Sequence, residues 1–367
     1  MIQTIPFIEI IERVRRLARE KASNEGVVRG IVNDIYTRDI PKEADWSYAK
    51  SQSALSCLAE QNTGVVSINT QSTACWFSSG LTLDSSYTGR KIKFNGNSNI
   101  YDLTFVASNS ASINPPLSGL ANIGSGGYTI FKDIFSLASD FDRFPVNGGL
   151  LYYSAGIPTP IPEKTDDDWY SSFYASPGVE PEMCRLIQPD TAGNAQVQIN
   201  PPPQDPIVVQ YEYLKGFKPM SFSTAGGTVV TSNNSLAVTG TSTYFTYMTT
   251  GDYFRIDNLG IADDSDWYRI ATISSNTDMT LEKAFRTDTQ GAFTKFTISS
   301  APEIPYRIQD AIIYGTMTRL LTDQNDKFFQ LYQMKYENTI KDNKVLYANR
   351  MAKDDIDLIA SDYNYRR

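Results

Sequence analysis

Ile304–Arg350, IPYRIQDAIIYGTMTRLLTDQNDKFFQLYQMKYENTIKDNKVLYANR, is written as two helices with a short break. In the first, Ile308, Ala311, Ile312, Gly315, Arg319 and Leu320 recur at the i, i+3, i+4, i+7 spacing that gathers residues on one helical face. Thr322-Asp323-Gln324-Asn325-Asp326 breaks the pattern with short polar side chains that bond to the backbone and cap a following helix. The second helix sets Phe329, Tyr332, Tyr336, Ile340 and Tyr347 along one stripe. Neither stripe is stable in water, and so short a connection predicts an antiparallel helical hairpin in need of a further partner.

The opening of the chain offers that partner. Between Pro6 and about Ala22, Phe7, Ile10, Ile11, Val14, Leu17 and Ala18 share a face, while Arg13, Arg15, Arg16 and Arg19 crowd the remainder. After Ser23-Asn24, a second stripe of Val28, Ile31, Val32 and Ile35 predicts a helix that ends before Pro41. Helices from opposite ends of the chain would then form one small bundle, with everything between them inserted into it.

Beyond Pro41 the periodicity changes. Trp46, Tyr48 and the run Ser53–Ile68 read as strands, and a Ser/Thr/Asn/Gly-rich all-β module follows to about Phe131. A second module, from about Gly226 to Ser300, looks like a copy of the first. Thr88–Phe94 matches Thr250–Ile256, Ile100–Leu103 matches Trp267–Ile270, Asn109–Ile113 matches Asn276–Leu281, and Tyr128–Ile130 matches Phe296–Ile298. Between the modules, Met183–Ile187, Gln196–Asn200 and Ile207–Tyr213 read as strands, with Pro201-Pro202-Pro203 marking the exit from one of them.

The expected fold class is therefore α+β: a helical bundle formed by N- and C-terminal helices, a central β layer and two related inserted β modules. The expected divisions are a discontinuous core at 1–60 and 301–350, a β module at 61–135, a central strand segment at 136–225, a second β module at 226–300 and a C-terminal arm at 351–367.

Composition narrows the chemistry. The chain has 367 residues and no histidine, which removes the commonest general base, the commonest metal ligand and every histidine-containing triad. Cys57, Cys75 and Cys184 lie far apart without C-x-x-C spacing and are expected to be buried free thiols, as suits folding in a reducing cytoplasm. A formal net charge of -8 argues against a surface devoted to gripping nucleic acid. Residues Met1–Ile11 lack the basic start of a signal peptide, and no apolar run reaches bilayer length.

Candidate sites thin out quickly. Asp166-Asp167-Asp168 and Asp263-Asp264-Ser265-Asp266 each precede a Trp-Tyr pair, yet neither fits a calcium loop, and solvated turns explain them better. Gly124-Ser125-Gly126-Gly127 and Gly226-Gly227 precede strands rather than helices and lack the lysine of a phosphate loop. No catalytic, cofactor-binding or metal-binding residue is expected, and the chain is not expected to be an enzyme. The arginines of the first helix read either as a solvated face balanced by Glu9, Glu12 and Glu20 or as a contact surface. The tail adds Ile356, Leu358, Ile359, Tyr363, Tyr365, Arg366 and Arg367. Together with Arg13, Arg15, Arg16 and Arg19 these form the candidate interface.

Several motifs, taken in order, carry a resemblance. They are the N-terminal helical pair, Asp45-Trp46-Ser47-Tyr48, Asp140-Phe141-Asp142-Arg143-Phe144, the strands Gln198–Pro203 and Val208–Lys215, and the closing helices from Pro305-Tyr306-Arg307. This series resembles the head–tail adaptor (connector, or tail tubular) proteins of tailed bacteriophages. The resemblance covers the two ends and the central strands, and leaves the β modules as insertions. It implies a virion structural protein of the neck, folded in the host cytoplasm, that forms a ring, usually dodecameric. Such a ring seats on the portal protein, meets a downstream tail or neck protein and surrounds DNA only in transit, with no membrane partner. Two other functions stay open: a minor tail or fibre-attachment protein whose β modules bind glycan through Trp76, Trp169 or Trp267, and a carboxylate-dependent polysaccharide hydrolase.

Overall fold

A computed structural model describes residues 4–18, 24–78, 80–119, 121–146, 148–154, 156–171, 177–178, 180–224, 226–256, 266–286, 296–321 and 327–348. The fold is mixed α+β, with several antiparallel sheets and few helices. It divides into two compact units, Ala49–Lys215 and the pair of segments Met1–Tyr48 and Gly216–Arg367.

Ala49–Lys215 begins with β1 (Lys50–Cys57). A seven-stranded antiparallel sheet follows, built from β2 (Val65–Ile68), β3 (Ala74–Ser78), β4 (Arg90–Phe94), β5 (Ile100–Ala107), β6 (Ser110–Asn114), β7 (Ile123–Gly126) and β8 (Tyr128–Phe131). Its order is β7-β2-β3-β6-β5-β4-β8. Alternation accounts for its core: Ile92 and Phe94 point inward from β4, and Tyr101 and Leu103 from β5, to meet Val66, Ile68 and Cys75. The glycine run 124–127 lies partly inside β7 rather than wholly in a loop ahead of a strand.

The rest of this unit is two sheets sharing one core. Strands β9 (Ile134–Ser136), β13 (Met183–Ile187) and β14 (Gln196–Asn200) form a three-stranded sheet. The other runs β1-β15-β11-β12, where β11 is Leu150–Ser154, β12 is Ile157–Ile161 and β15 is Ile207–Lys215, with β10 (Phe141–Arg143) beside β15. Strand β1 pairs with β15 from Lys50↔Leu214 to Cys57↔Ile207. That register sends Leu55, Val209, Tyr211, Leu150 and Tyr152 inward, against Phe135, Cys184, Val197 and Ile199 of the smaller sheet.

The other unit joins the chain ends to the second β module. Helices α1 (Phe7–Ala18), α2 (Glu25–Asp34) and α3 (Tyr306–Leu320) touch pairwise, and α4 (Lys327–Tyr347) lies along α3. Asn24 caps α2, its side chain accepting from the Gly26 and Val27 amides. The Ile5 amide donates to Gln309 Oε1 at 2.8 Å, and the Phe7 amide to the Ser300 carbonyl at 2.8 Å. Phe7, Ile10, Ile11 and Val14 are buried, as are Ile308, Ala311, Ile312 and Gly315. Leu17 is exposed, because it falls at the margin of its stripe on the last turn. Arg319 also leaves the apolar stripe, its guanidinium reaching Asp39 at 2.5 Å. Tyr314 meets Tyr332 at 6.2 Å between ring centroids and Asn343 Nδ2 donates to the Arg307 carbonyl, so α3 and α4 run antiparallel. Their connection, 322–326, lies outside the described residues.

Two local expectations change near the start of the chain. The helical path does not stop before Pro41: a π-turn at Ile35–Asp39 leads into a turn at Ile40–Lys42 that holds the proline in its first positions, where no amide donor is required. Trp46 and Tyr48 are not strand residues. Trp46 forms a single bridge to Ala348 and donates its indole N–H to the Ile40 carbonyl at 2.7 Å, while Tyr48 sits in a 3₁₀ turn.

The second module consists of β16 (Phe222–Thr224), β17 (Thr228–Thr231), β18 (Ala237–Thr241), β19 (Tyr253–Ile256), β20 (Tyr268–Ile273), β21 (Asp278–Leu281) and β22 (Phe296–Ser299). Its order is β16-β22-β19-β20-β21-β18-β17, and the six strands from β22 to β17 repeat the first module from β8 through β4, β5, β6 and β3 to β2, leaving β16 and β7 as the unmatched edges. Single hydrogen bonds repeat as well. Gly89 donates to Leu103 as Gly251 does to Ile270, and Ile113 donates to Thr73 as Leu281 does to Leu236. Leu117 donates to Ser72 as Phe285 does to Ser235, and the Tyr101 and Tyr268 hydroxyls accept from the Ser118 and Arg286 amides. Gln71 and Asn234, at φ 61 and 58, occupy the same left-handed turn position.

Candidate assembly surfaces

The amphipathic pattern of α1 turns its arginines outward once Phe7, Ile10, Ile11 and Val14 are buried. Arg13 pairs with Glu9 one turn back at 2.7 Å, and Arg15 reaches Glu25 of α2 at 3.4 Å. Arg16 is exposed on the same helix. These are surface pairs worth little to stability, so the face remains available to a partner. Arg19, Ile356, Leu358, Ile359, Tyr363, Tyr365, Arg366 and Arg367 lie outside the described residues.

Helix α4 exposes more apolar surface than its single stripe predicts. Only Ile340 and Asn343 of its 21 residues are buried. The stripe of Phe329, Tyr332, Tyr336 and Tyr347 is half-buried, and the opposite side exposes Phe328, Leu331 and Met334 near one end and Val345 and Leu346 near the other. The signal was there, since apolar residues occur around the whole helix instead of along one stripe. On the flank, Glu43, Thr318, Phe329, Gln330, Gln333, Tyr336 and Glu337 line a groove. Its carboxylates are engaged within the chain: Glu43 with Lys344 at 2.8 Å, and Glu337 with Gln333 at 2.9 Å. Burial, with Glu43 and Asp39 nearby, pushes the Tyr336 hydroxyl well above its ordinary range.

Within Ala49–Lys215, a polar relay crosses from the seven-stranded sheet to the three-stranded one. Lys91 Nζ lies 2.9 Å from Asp133 Oδ2, which also accepts from Gln198 Nε2 at 2.6 Å. Arg185 donates from Nε and Nη2 to Gln198 Oε1 and from Nη1 to Asp166. Its guanidinium lies 4.7 Å over Trp169 and 5.2 Å from Tyr170. Asp133 Oδ1 is buried without a partner. Asp166, Asp167 and Asp168 occupy an exposed short helix, Asp166–Ser171, and Asp263-Asp264-Ser265 lies outside the described residues. Asp266 stands 3.6 Å from Arg286.

The tryptophans differ sharply. Trp169 is buried and cannot face a ligand, Trp267 is half-buried beneath Arg255, and Trp76 is 47% exposed on β3. Burial pushes the thiols of Cys57, Cys75 and Cys184 up to about 12, and all three are free. Among the described residues, no three Cys, Asp or Glu side chains converge as metal ligands, and no helix is long and apolar enough to cross a membrane.

The sheet β1-β15-β11-β12 carries a surface that strand alternation alone did not reveal. Its inner face is covered, yet its outer face presents Leu151, Tyr153, Val208, Pro158 and Pro160 to solvent. Register aligns Pro160, Leu151, Gln210 and Ala54 in one row, and Pro158 with Tyr153 in the next. No protein-family model matches the chain, and no curated protein matches it.

Proposed function

We propose that this chain is a structural virion protein, a ring-forming head–tail adaptor that joins a phage portal to the tail and surrounds the DNA exit channel. The observation that carries the reading is the union of the chain ends: Ile5 bonds to Gln309 and Phe7 to Ser300, across nearly the whole sequence. On this reading, the helices of both ends form the bundle that docks to other copies, and the two β modules are descendants of one ancestral module. Helix α1 offers an arginine face and α4 an apolar one, a combination suited to closed head-to-tail contacts. A net charge of -8 favours a bore that lets DNA slide instead of holding it.

Native mass measurement of the purified chain, alone and mixed with its portal, tests the assignment. A closed ring in either sample is expected; a monomer in both overturns it. A glycan-binding tail protein is the second reading, and exposed Trp76 is the observation that favours it. A glycan-array signal lost in Trp76→Ala would support that alternative.

A further inference from the structure

We propose that the Lys91 amine and the Gln198 carboxamide condense spontaneously into an isopeptide bond, releasing ammonia and tying β4 to β14. The inference does not depend on the assembly reading above. It starts from one oxygen atom. Asp133 Oδ2 accepts from Lys91 Nζ at 2.9 Å and from Gln198 Nε2 at 2.6 Å, so an amine nucleophile and an amide leaving group lie side by side on one carboxylate. The orientation of the amide follows from its neighbours, because an ionised carboxylate only accepts and a guanidinium only donates. Gln198 therefore turns Nε2 to Asp133 and Oε1 to Arg185, whose Nε and Nη2 donate to it at 3.1 and 2.9 Å.

Each group has a part in the reaction. As the amine adds to the Gln198 Cδ, negative charge develops on Oε1, where the arginine fork already places two donors. Asp133 carries two protons in turn from Nζ to Nε2. Loss of the first frees the lone pair that attacks Cδ, and loss of the second leaves the N–H of the new amide. The Gln198 nitrogen departs as ammonium. One C–N bond forms and one breaks, no electrons are transferred, and no co-reactant is needed. Asp133 Oδ1 is buried without a partner, free to hold a proton while Oδ2 keeps both nitrogens in place.

The parts sit on rigid elements. Lys91 lies opposite Phe131 of β8 and Gln198 opposite Ile134 of β9. The Asp133 carbonyl accepts from the Ile199 amide at 2.8 Å, which holds the carboxylate beside Gln198. Arg185 is fixed in turn by Asp166 at 3.0 Å and by the Trp169 ring. Asp133 and Gln198 are 3% and 5% exposed, so water is kept from the carbonyl while the amine is held against it. The second module has Tyr253 at the place of Lys91 and cannot form the bond.

Intact mass of the full chain, freshly made and after prolonged warm storage, provides the test. The linked chain should be lighter than its sequence by one ammonia, about 17 Da, and proteolysis should release a branched peptide joining Lys91 to Gln198. Lys91→Arg keeps a cation against Asp133 but offers no primary amine, so it should show the full mass of its sequence with unchanged circular dichroism. Arg185→Lys keeps the charge without the fork, and its linked fraction at a fixed time after synthesis should fall at least about tenfold. The full sequence mass in both samples of the unmodified chain overturns the proposal. A loss of ammonia that persists in Lys91→Arg overturns it too, since the loss then arises elsewhere. An undiminished linked fraction in Arg185→Lys overturns the role given to the arginine.

Discussion

The Tyr48 hydroxyl is buried without a hydrogen-bond partner, and the Tyr48 ring packs against Trp46 and Tyr347 with ring centroids 5.7 and 6.0 Å away. An orphaned buried donor is costly, so Tyr48→Phe should leave stability unchanged or raise it by about 1 kcal/mol, read from urea unfolding. Burial raises the hydroxyls of Tyr36, Tyr48 and Tyr336 above the ordinary value of 10.0. The folded state keeps these protons while the unfolded chain releases them. Their contribution is therefore complete below pH 10.0 and is lost as pH rises beyond it. The thiols, raised from 9.0, act in the same direction from pH 9 upward. Thermal melts should show Tm falling above pH 9, with tyrosinate absorbance appearing at unfolding; a flat profile to pH 11 contradicts this. The Lys91–Asp133 pair gives a larger effect. Lys91→Met would strand a carboxylate whose side chain is 4% exposed, at a cost of roughly 3–5 kcal/mol in urea unfolding. None of this was legible in the linear chain, because Lys91, Asp133 and Gln198 sit in separate segments that only the sheet registers bring together.

Among elements, the β modules were the most legible part. Matching Thr88–Phe94 to Thr250–Ile256 anticipated the equivalence of Ile92↔Ile130 and Phe254↔Ile298 across the paired strands. Period-2 patterns and a shared glycine record both face and register, and they survive changes of side chain. The second copy is one residue longer between Ile270 and Leu281 than the first between Leu103 and Ile113, a difference absorbed within the hairpin. Gly89 and Gly251 have φ 82 and 98, so Ala at either should cost about 1–2 kcal/mol, and similar losses at both positions would show equivalent roles. Gly315 serves a different purpose. A side chain there would come within 3.2 Å of Ile35 and Tyr336, and Gly315→Leu should destabilise by about 2 kcal/mol or more in a thermal melt. Helix ends are less legible. Pro41 reads as a stop because a proline inside a helix usually breaks it, but at the start of a new turn it has no bond to break.

At the scale of the molecule, the meeting of the chain ends was foreseeable because each terminal stripe lacked a partner of its own. The bare outer face of β1-β15-β11-β12 was not. Alternation says that two faces differ, and it is silent on whether the second is covered. The apolar Leu150-Leu151-Tyr152-Tyr153 run, with large side chains on both sides of the strand, was the available sign. For assembly, deletion of residues 351–367 should leave circular dichroism unchanged and weaken oligomer formation in sedimentation. Normal assembly by the shortened chain would remove the arm from the interface.

The doubled sheet plan also shapes how the chain reaches its native state. Strands such as β8 and β22 have equivalent places in two half-built sheets, so a nascent chain faces two acceptors for one donor. The modules differ where such a mistake would be felt: β4 carries Lys91 where β19 carries Tyr253, and Lys91 meets the buried carboxylate of Asp133. In a crossed arrangement, with β22 set against β4, Lys91 would lose Asp133, which follows β8, and that loss would disfavour the wrong choice of strand.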